Sequence, residues 1–272
     1  LIEGGYAASN PKDVAFFEEV KALELTNARI AAFGSTRRAN ILPEKDSGCQ
    51  ALRNADTPVC TIFGKSWTLH VEEVLRTTRE ENLAMIGETV EWLKELGREV
   101  VYDAEHFFDG FKHDPDYALQ TLRAAEKNGA SVLVLCDTNG GTLPHEVFQI
   151  TETVRRELGT PIGIHAHNDG GCGVANSLES IRAGAEHVQG TINGYGERCG
   201  NADLVPVLAN LKLKMGRNFA TDVRLEALTD LSRSIDEIAN QRVNPKNPFV
   251  GADAFAHKAG MHVDGVRKVA GS

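Results

Sequence analysis

Two histidines separated by a single alanine, His165 and His167, are the residues most capable of chemistry in this sequence. In an extended strand, side chains two apart face the same side, so the pair offers two imidazoles to one cation. Neutral imidazoles suit zinc, manganese or cobalt, and a pair completed by a carboxylate and waters leaves positions open for a substrate. Asp137 and Glu105 are candidates within the chain for that carboxylate, and a strand ahead of Leu1 is a third source. Asp103 and Glu105, also two apart, place two carboxyls near the same point. One of them is a candidate general base; the bland role for Glu105 is an acceptor that fixes a histidine tautomer. Thr138 offers a hydroxyl to a substrate carboxylate or, structurally, caps the turn into Pro144.

Two further segments carry candidate groups. Gly194-Tyr-Gly-Glu-Arg-Cys-Gly-Asn201 is a glycine-rich stretch after a strand, where backbone N–H groups can cradle an anion. Its functional reading places Asn201 near the metal and Gly196, Arg198 and Gly200 near an anionic cofactor; its structural reading is a barrel-closing turn. His257 and His262, five apart, read by pattern alone as surface residues.

Apolar stripes at helical spacing, each closed by a glycine and followed by a short β-rich run, recur along the chain. Leu83, Ile86, Val90 and Leu93 lead to Gly97 and a strand at Val100 and Val101. Asp114 and Pro115 open a helix as cap and first-turn proline, and Gly129 closes it before a strand over 131–136. The same grammar leads through Gly159 to a strand over 161–165, through Gly184 to one over 187–192, and through a helix from Leu204 to Gly216. With strands at Leu1 and Ile2, over 29–33 and over 59–63, this gives seven parallel βα units. Closed parallel barrels have eight strands, so the expectation is a (β/α)8 TIM barrel lacking its first strand. An open doubly wound sheet is the alternative, but it gathers polar groups at one switch point. Here Glu3, Arg37, Lys65, Asp103, Asp137, His165 and Asn193 fall near the ends of almost every strand. The expected division is a barrel over 1–216 and a helical arm over 217–272, the arm beginning with the stripe Leu225, Leu228, Leu231, Ile235 and Ile238.

A formal charge of −9 offers no broad positive field for a nucleic-acid backbone, and no apolar run is long enough to span a bilayer. Five widely spaced cysteines, none in a CxxC pair, argue against a disulfide framework and point to the reducing cytoplasm. Leu1 in place of an initiator methionine implies residues upstream.

Taken together, five motifs resemble the metal-dependent acyl-CoA-condensing barrel family of isopropylmalate, homocitrate and citramalate synthases, in wording closest to its citramalate synthase branch. They are Gly64-Lys-Ser-Trp-Thr-Leu-His70, Tyr102-Asp-Ala-Glu-His-Phe-Phe-Asp-Gly110, Cys136-Asp-Thr-Asn-Gly-Gly141, His165-Ala-His-Asn-Asp169 and Gly190-Thr-Ile-Asn-Gly-Tyr-Gly-Glu-Arg-Cys-Gly-Asn201. The resemblance implies a divalent metal (Zn, Mn, Mg or Co) held by His165 and His167 with Asn201 close by. It further implies Glu105 in proton abstraction, Thr138 and Asp103 at the keto acid, and acetyl-CoA as co-substrate. His257 matches an arm histidine that reaches the partner subunit's site, implying a homodimer. The expected reaction joins acetyl-CoA to a 2-keto acid, pyruvate giving citramalate for isoleucine or a branched acid giving isopropylmalate for leucine. The family's opening Asp-Thr-Thr-Leu-Arg-Asp-Gly strand and its C-terminal regulatory domain have no counterpart in these residues, and a chain without that Arg and Asp is expected to be impaired. Rival readings are an acyl-CoA lyase or aldolase on the same barrel, a metal hydrolase barrel, and a partial barrel that binds no metal.

Overall fold

The computed structural model describes residues 1–219 and 223–269. They divide into two compact units, Leu1–Gln189 and Gly190–Ser272.

In the first unit, seven strands form one parallel sheet in sequential order among the described residues. They are β1 (Ile2–Tyr6), β2 (Ile30–Ser35), β3 (Val59–Lys65), β4 (Glu99–Glu105), β5 (Val132–Asp137), β6 (Ile162–Ala166) and β7 (His187–Gln189). Between them run α1 (Pro11–Val20), α2 (Ser47–Ala55), α3 (Arg79–Glu95), α4 (Phe107–His113), α5 (Pro115–Lys127), α6 (Pro144–Glu157) and α7 (Gly173–Arg182). Seven strands paired in sequence order, linked by helical crossovers, form the wall of a (β/α) barrel with one strand fewer than the closed eight. The helix signals act as the sequence suggests. Asp114 accepts a hydrogen bond from the Tyr117 N–H at 3.0 Å with Pro115 in the first turn, and Gly129 ends that segment at φ +96°.

The central strands are buried on both sides and so read as apolar runs. Two clusters separate their faces. Ala32, Cys60, Ile62, Val100, Tyr102, Leu133, Leu135, Ile162 and Ile164 pack beneath the helices, while Ala31, Val59, Val101, Val134 and Cys136 form a small inner cluster. Each fully buried Leu or Ile contributes about 1.5–3 kcal/mol. Through the register, the inner cluster fixes which residues face inward further along: Asp103 lies level with Val134, Lys65 with Glu105, and Cys136 with His165, which is level with Gln189.

The last strand is shorter than the expected 187–192. It stops at Gln189, and Ile192–Gly194 form a 3-10 turn in which Asn193 takes φ 64°. This turn belongs to the second unit, which also contains α8 (Leu204–Leu213), α9 (Leu228–Ile238) and α10 (Gly260–Lys268). Val205, Leu228 and Val250 make its core. No helix among the described residues is long and apolar enough to cross a membrane.

Candidate active site

Strand parity decides which candidates face the interior. On β6, His165 stands on the inward side, and His167, just past its end, follows two residues on. Their ring centroids are 5.1 Å apart, with planes tilted by 54°. His165 Nδ1 lies 2.8 Å from the Gln189 side-chain oxygen, and the Gln189 amide donates to Asp103 Oδ1 at 2.9 Å. The amide thus joins β4, β6 and β7. Burial holds the Asp103 carboxyl well above the carboxylate range, the like charge of Glu3 adds to that, and the Gln189 hydrogen bond opposes it. Glu3 therefore faces another acid; among the described residues no cationic side chain pairs with it.

At the ends of β3 and β4, Lys65 Nζ lies 2.5 Å from Glu105 Oε2. The Thr138 hydroxyl accepts the His106 N–H at 2.8 Å, so it braces the turn after β4 rather than the turn into Pro144. His106 sits there at φ 55°, with its ring 4.3 Å from His70 and 5.8 Å from Trp67, which stacks on His70. Burial, the neighbouring His106 and Lys65 push His70 below the usual imidazole range, against the pull of Glu105 and Asp109. This trio was not singled out by residue chemistry alone, although His70 and His106 lie inside two of the quoted motifs. Its members come from different strand ends and have no common spacing.

Two expected mouth residues point elsewhere. Asp137 follows the inward Cys136 and so faces outward, where it accepts from the Thr142 hydroxyl at 2.9 Å and the Thr142 N–H and Asn176 amide at 3.3 Å. It is a turn brace, which removes it as a third metal ligand. The Arg37 guanidinium folds back onto α3, pairing with Glu81 and Glu88 at 2.7 Å each. It borders a cavity of about 400 Å³ that is also lined by Arg38, Lys65, Phe63 and Met85.

In the second unit, the glycine-rich loop is anchored by α9. The Asp236 carboxylate accepts from the Asn193 amide and the Tyr195 hydroxyl at 2.6 Å each, and the Ser232 hydroxyl donates to Asn193 Oδ1 at 2.7 Å. Asn201 donates through its amide to Tyr195 O at 3.1 Å, while its Oδ1 is buried without a hydrogen-bond partner among the described residues. Gly200 takes φ +91°, and a Cβ there would strike the Gly194 carbonyl; a Cβ on Gly196 would strike the Asn201 amide. Arg198 is half exposed beside Glu197 at 3.7 Å. His257 is exposed in the segment before α10, its ring 6.1 Å from His262.

The donor set bears on the metal expectation. No group of three His, Cys, Asp or Glu that could hold an ion occurs among the described residues. Among the described residues of the first unit, what fits a divalent cation is the pair of imidazoles, one of them oriented by an amide. Two imidazoles supply fewer than four protein ligands and leave positions for water or substrate.

Comparison with known proteins identifies the family and the fold. The (R)-citramalate synthase of Geobacter sulfurreducens is 54% identical over 98% of this chain and 51% of its own length, and that of Sulfolobus acidocaldarius 52% over the same shares. The 2-isopropylmalate synthase of Pyrococcus furiosus is 34% identical over 98% of this chain and 53% of its own length. The chain thus spans about half the length of these curated relatives, and the expected likeness to the citramalate synthase branch is borne out. Among solved structures, an Acinetobacter baumannii HMG-CoA lyase in complex with coenzyme A and 3-methylmalate superposes with TM-score 0.71 at 20% identity, covering 94% of this chain and 84% of its own. A Pseudomonas aeruginosa hydroxymethylglutaryl-CoA lyase gives 0.70 at 18%, covering 88% and 80%. At such identities the likeness concerns the fold, which is that of the barrel read from the strand order. The HMGL-like family matches residues 1–235, and the chain belongs to that family.

Proposed function

We propose that this chain carries catalytic machinery of an (R)-citramalate synthase, condensing acetyl-CoA with pyruvate in the cytoplasmic route to isoleucine. The observation that carries the reading is the oriented imidazole pair on β6, in a chain 54% identical to a protein of that name. In this reading His165 and His167 hold a divalent cation, and the Asn201 carboxamide oxygen on its own unit is a metal-directed group. Once bound, the cation supplies a Lewis acid for the keto acid's carbonyl. Asp103 and Thr138 line the keto-acid position. Glu105, oriented by Lys65, takes a methyl proton from acetyl-CoA, and the resulting carbanion forms the C–C bond at the keto carbon as the C=O π electrons pass to the oxygen, which takes up a proton to become the hydroxyl. Water then cleaves the thioester and releases CoA. Gly196 offers a backbone N–H and Arg198 a guanidinium to the anionic cofactor, and Gly200, whose own N–H is taken by the Glu197 carbonyl at 2.9 Å, shapes the loop that presents them. His257, exposed on its own unit, acts in a partner subunit of a homodimer, with the barrel domain ending near 216.

The test is thiol release by the full-length protein from acetyl-CoA with a panel of 2-keto acids, with and without chelator. Release with pyruvate that chelator abolishes supports the reading. Preference for a branched keto acid moves it to isopropylmalate synthesis, and cleavage of a hydroxyacyl substrate with no condensation makes it a lyase.

A further inference from the structure

We propose that Gln189 is a positioning residue that fixes the tautomer and ring orientation of His165 by bridging it to Asp103; this rests on the reading of His165 as a metal ligand. The bridge has a direction. Asp103 Oδ1 accepts one N–H of the Gln189 amide at 2.9 Å, which turns the Gln189 oxygen toward His165 Nδ1 at 2.8 Å. An amide oxygen can only accept, so Nδ1 carries the proton and the lone pair lies on Nε2, the nitrogen that must bind a cation. Register supports the geometry: Gln189 is the direct partner of His165 across β6 and β7, so neither side chain needs to stretch to meet. Asp103 is 4% exposed, and a buried acceptor on the opposite side of the barrel interior keeps the amide from rotating freely. Most ligating histidines are oriented by a carboxylate or a backbone carbonyl. Here a carboxamide does it, with the buried Asp103 carboxyl one step behind, so the imidazole gains orientation with a neutral acceptor against its N–H.

The experiment uses wild type, Gln189→Leu and Gln189→Glu, with folding checked by circular dichroism. Nitrogen-15 NMR of the metal-free proteins reads the His165 tautomer, and titration with Co²⁺ alone, followed by visible absorption, reads affinity. The expected wild-type form is Nδ1–H. Gln189→Leu should give a tautomer mixture and bind Co²⁺ roughly 10–100-fold more weakly. Gln189→Glu, which keeps an acceptor facing Nδ1, should retain the Nδ1–H form. A leucine variant with wild-type tautomer and affinity overturns the proposal, as does a glutamate variant in the Nε2–H form; the latter serves if the leucine variant does not fold. Wild type that binds no Co²⁺ sinks the metal reading instead, and the tautomer measurement still decides the role of Gln189.

Discussion

Replacing His165 by alanine removes one of two imidazoles whose rings stand 5.1 Å apart, leaving a single nitrogen at that point. If the proposed function holds, His165→Ala is expected to bind Co²⁺ at least about 100-fold more weakly, loss of a proposed ligand costing no less than loss of a supporting residue, as titration would show. Glu105→Gln keeps the shape of the side chain that faces Lys65 but removes the carboxylate to which the proposed function gives the proton. It should lower kcat by roughly 10²–10⁴-fold with little change in metal affinity. A third prediction concerns pH. Burial raises the Asp46 carboxyl, but hydrogen bonds from Arg38, Cys49 and Gly48 outweigh it and hold it below the usual range. A depressed carboxyl contributes stability above its unfolded value, and that contribution is lost as pH falls through the folded value. Asp46→Asn retains the helix-capping oxygen, so its loss of stability at neutral pH should shrink toward zero below the ordinary carboxylate range, as denaturation midpoints across pH would show. The pairing of the two histidines was legible because strand parity is readable: positions 165 and 167 share a face wherever the segment is extended. Asp137 could have been rejected on the same ground, since it follows an apolar inward Cys136. Gln189 could not have been found, because its meaning lies in a contact with Asp103 86 residues away.

Between residue and molecule, the helices differ in how strongly their sequence announces them. α5 has a cap, a first-turn proline and a stop glycine, and was read from these. α1 buries only Phe17, and α4 is seven residues long, begins after a left-handed His106 and has no side-chain cap. α1 is nonetheless announced by Asn10, whose side chain accepts from the Lys12 and Asp13 N–H groups, and by Pro11 in its first turn, whereas α4 follows from tertiary context. α4 depends on a close approach: a Cβ on Gly110 would run into the Ser66 carbonyl. Gly110→Ala is therefore expected to cost about 1–3 kcal/mol, measured as a lower denaturant midpoint. In the second unit, α9 holds the loop over 193–201 through the Asp236 carboxylate, which is 3% exposed. Asp236→Ala leaves the Asn193 amide without that acceptor. It should loosen the loop by about 1 kcal/mol, a roughly fivefold faster amide exchange at 194–201; unchanged exchange there would show that the loop holds itself.

For the molecule as a whole, the cysteines report how tightly the first unit is sealed. Burial pushes the Cys49 thiol up to about 12 and Cys60 up to about 11, and Cys136 is buried beside acids. Thiolates being the reactive form, a native-state thiol reagent should label Cys172 and Cys199 and leave the other three until the protein unfolds, as peptide mass mapping would show. The barrel class was legible from the repeat of helix, stop glycine and strand.

The double clamp on Arg37 reaches beyond its own neighbourhood. Every cation rimming the 400 Å³ cavity is already matched: Arg37 by Glu81 and Glu88, Arg38 by Asp46, Lys65 by Glu105. The chain also carries a net −9. A negatively charged visitor consequently approaches uphill, with no local attraction to offset the distant repulsion. Added salt, which usually slows the capture of such molecules, should here hasten it.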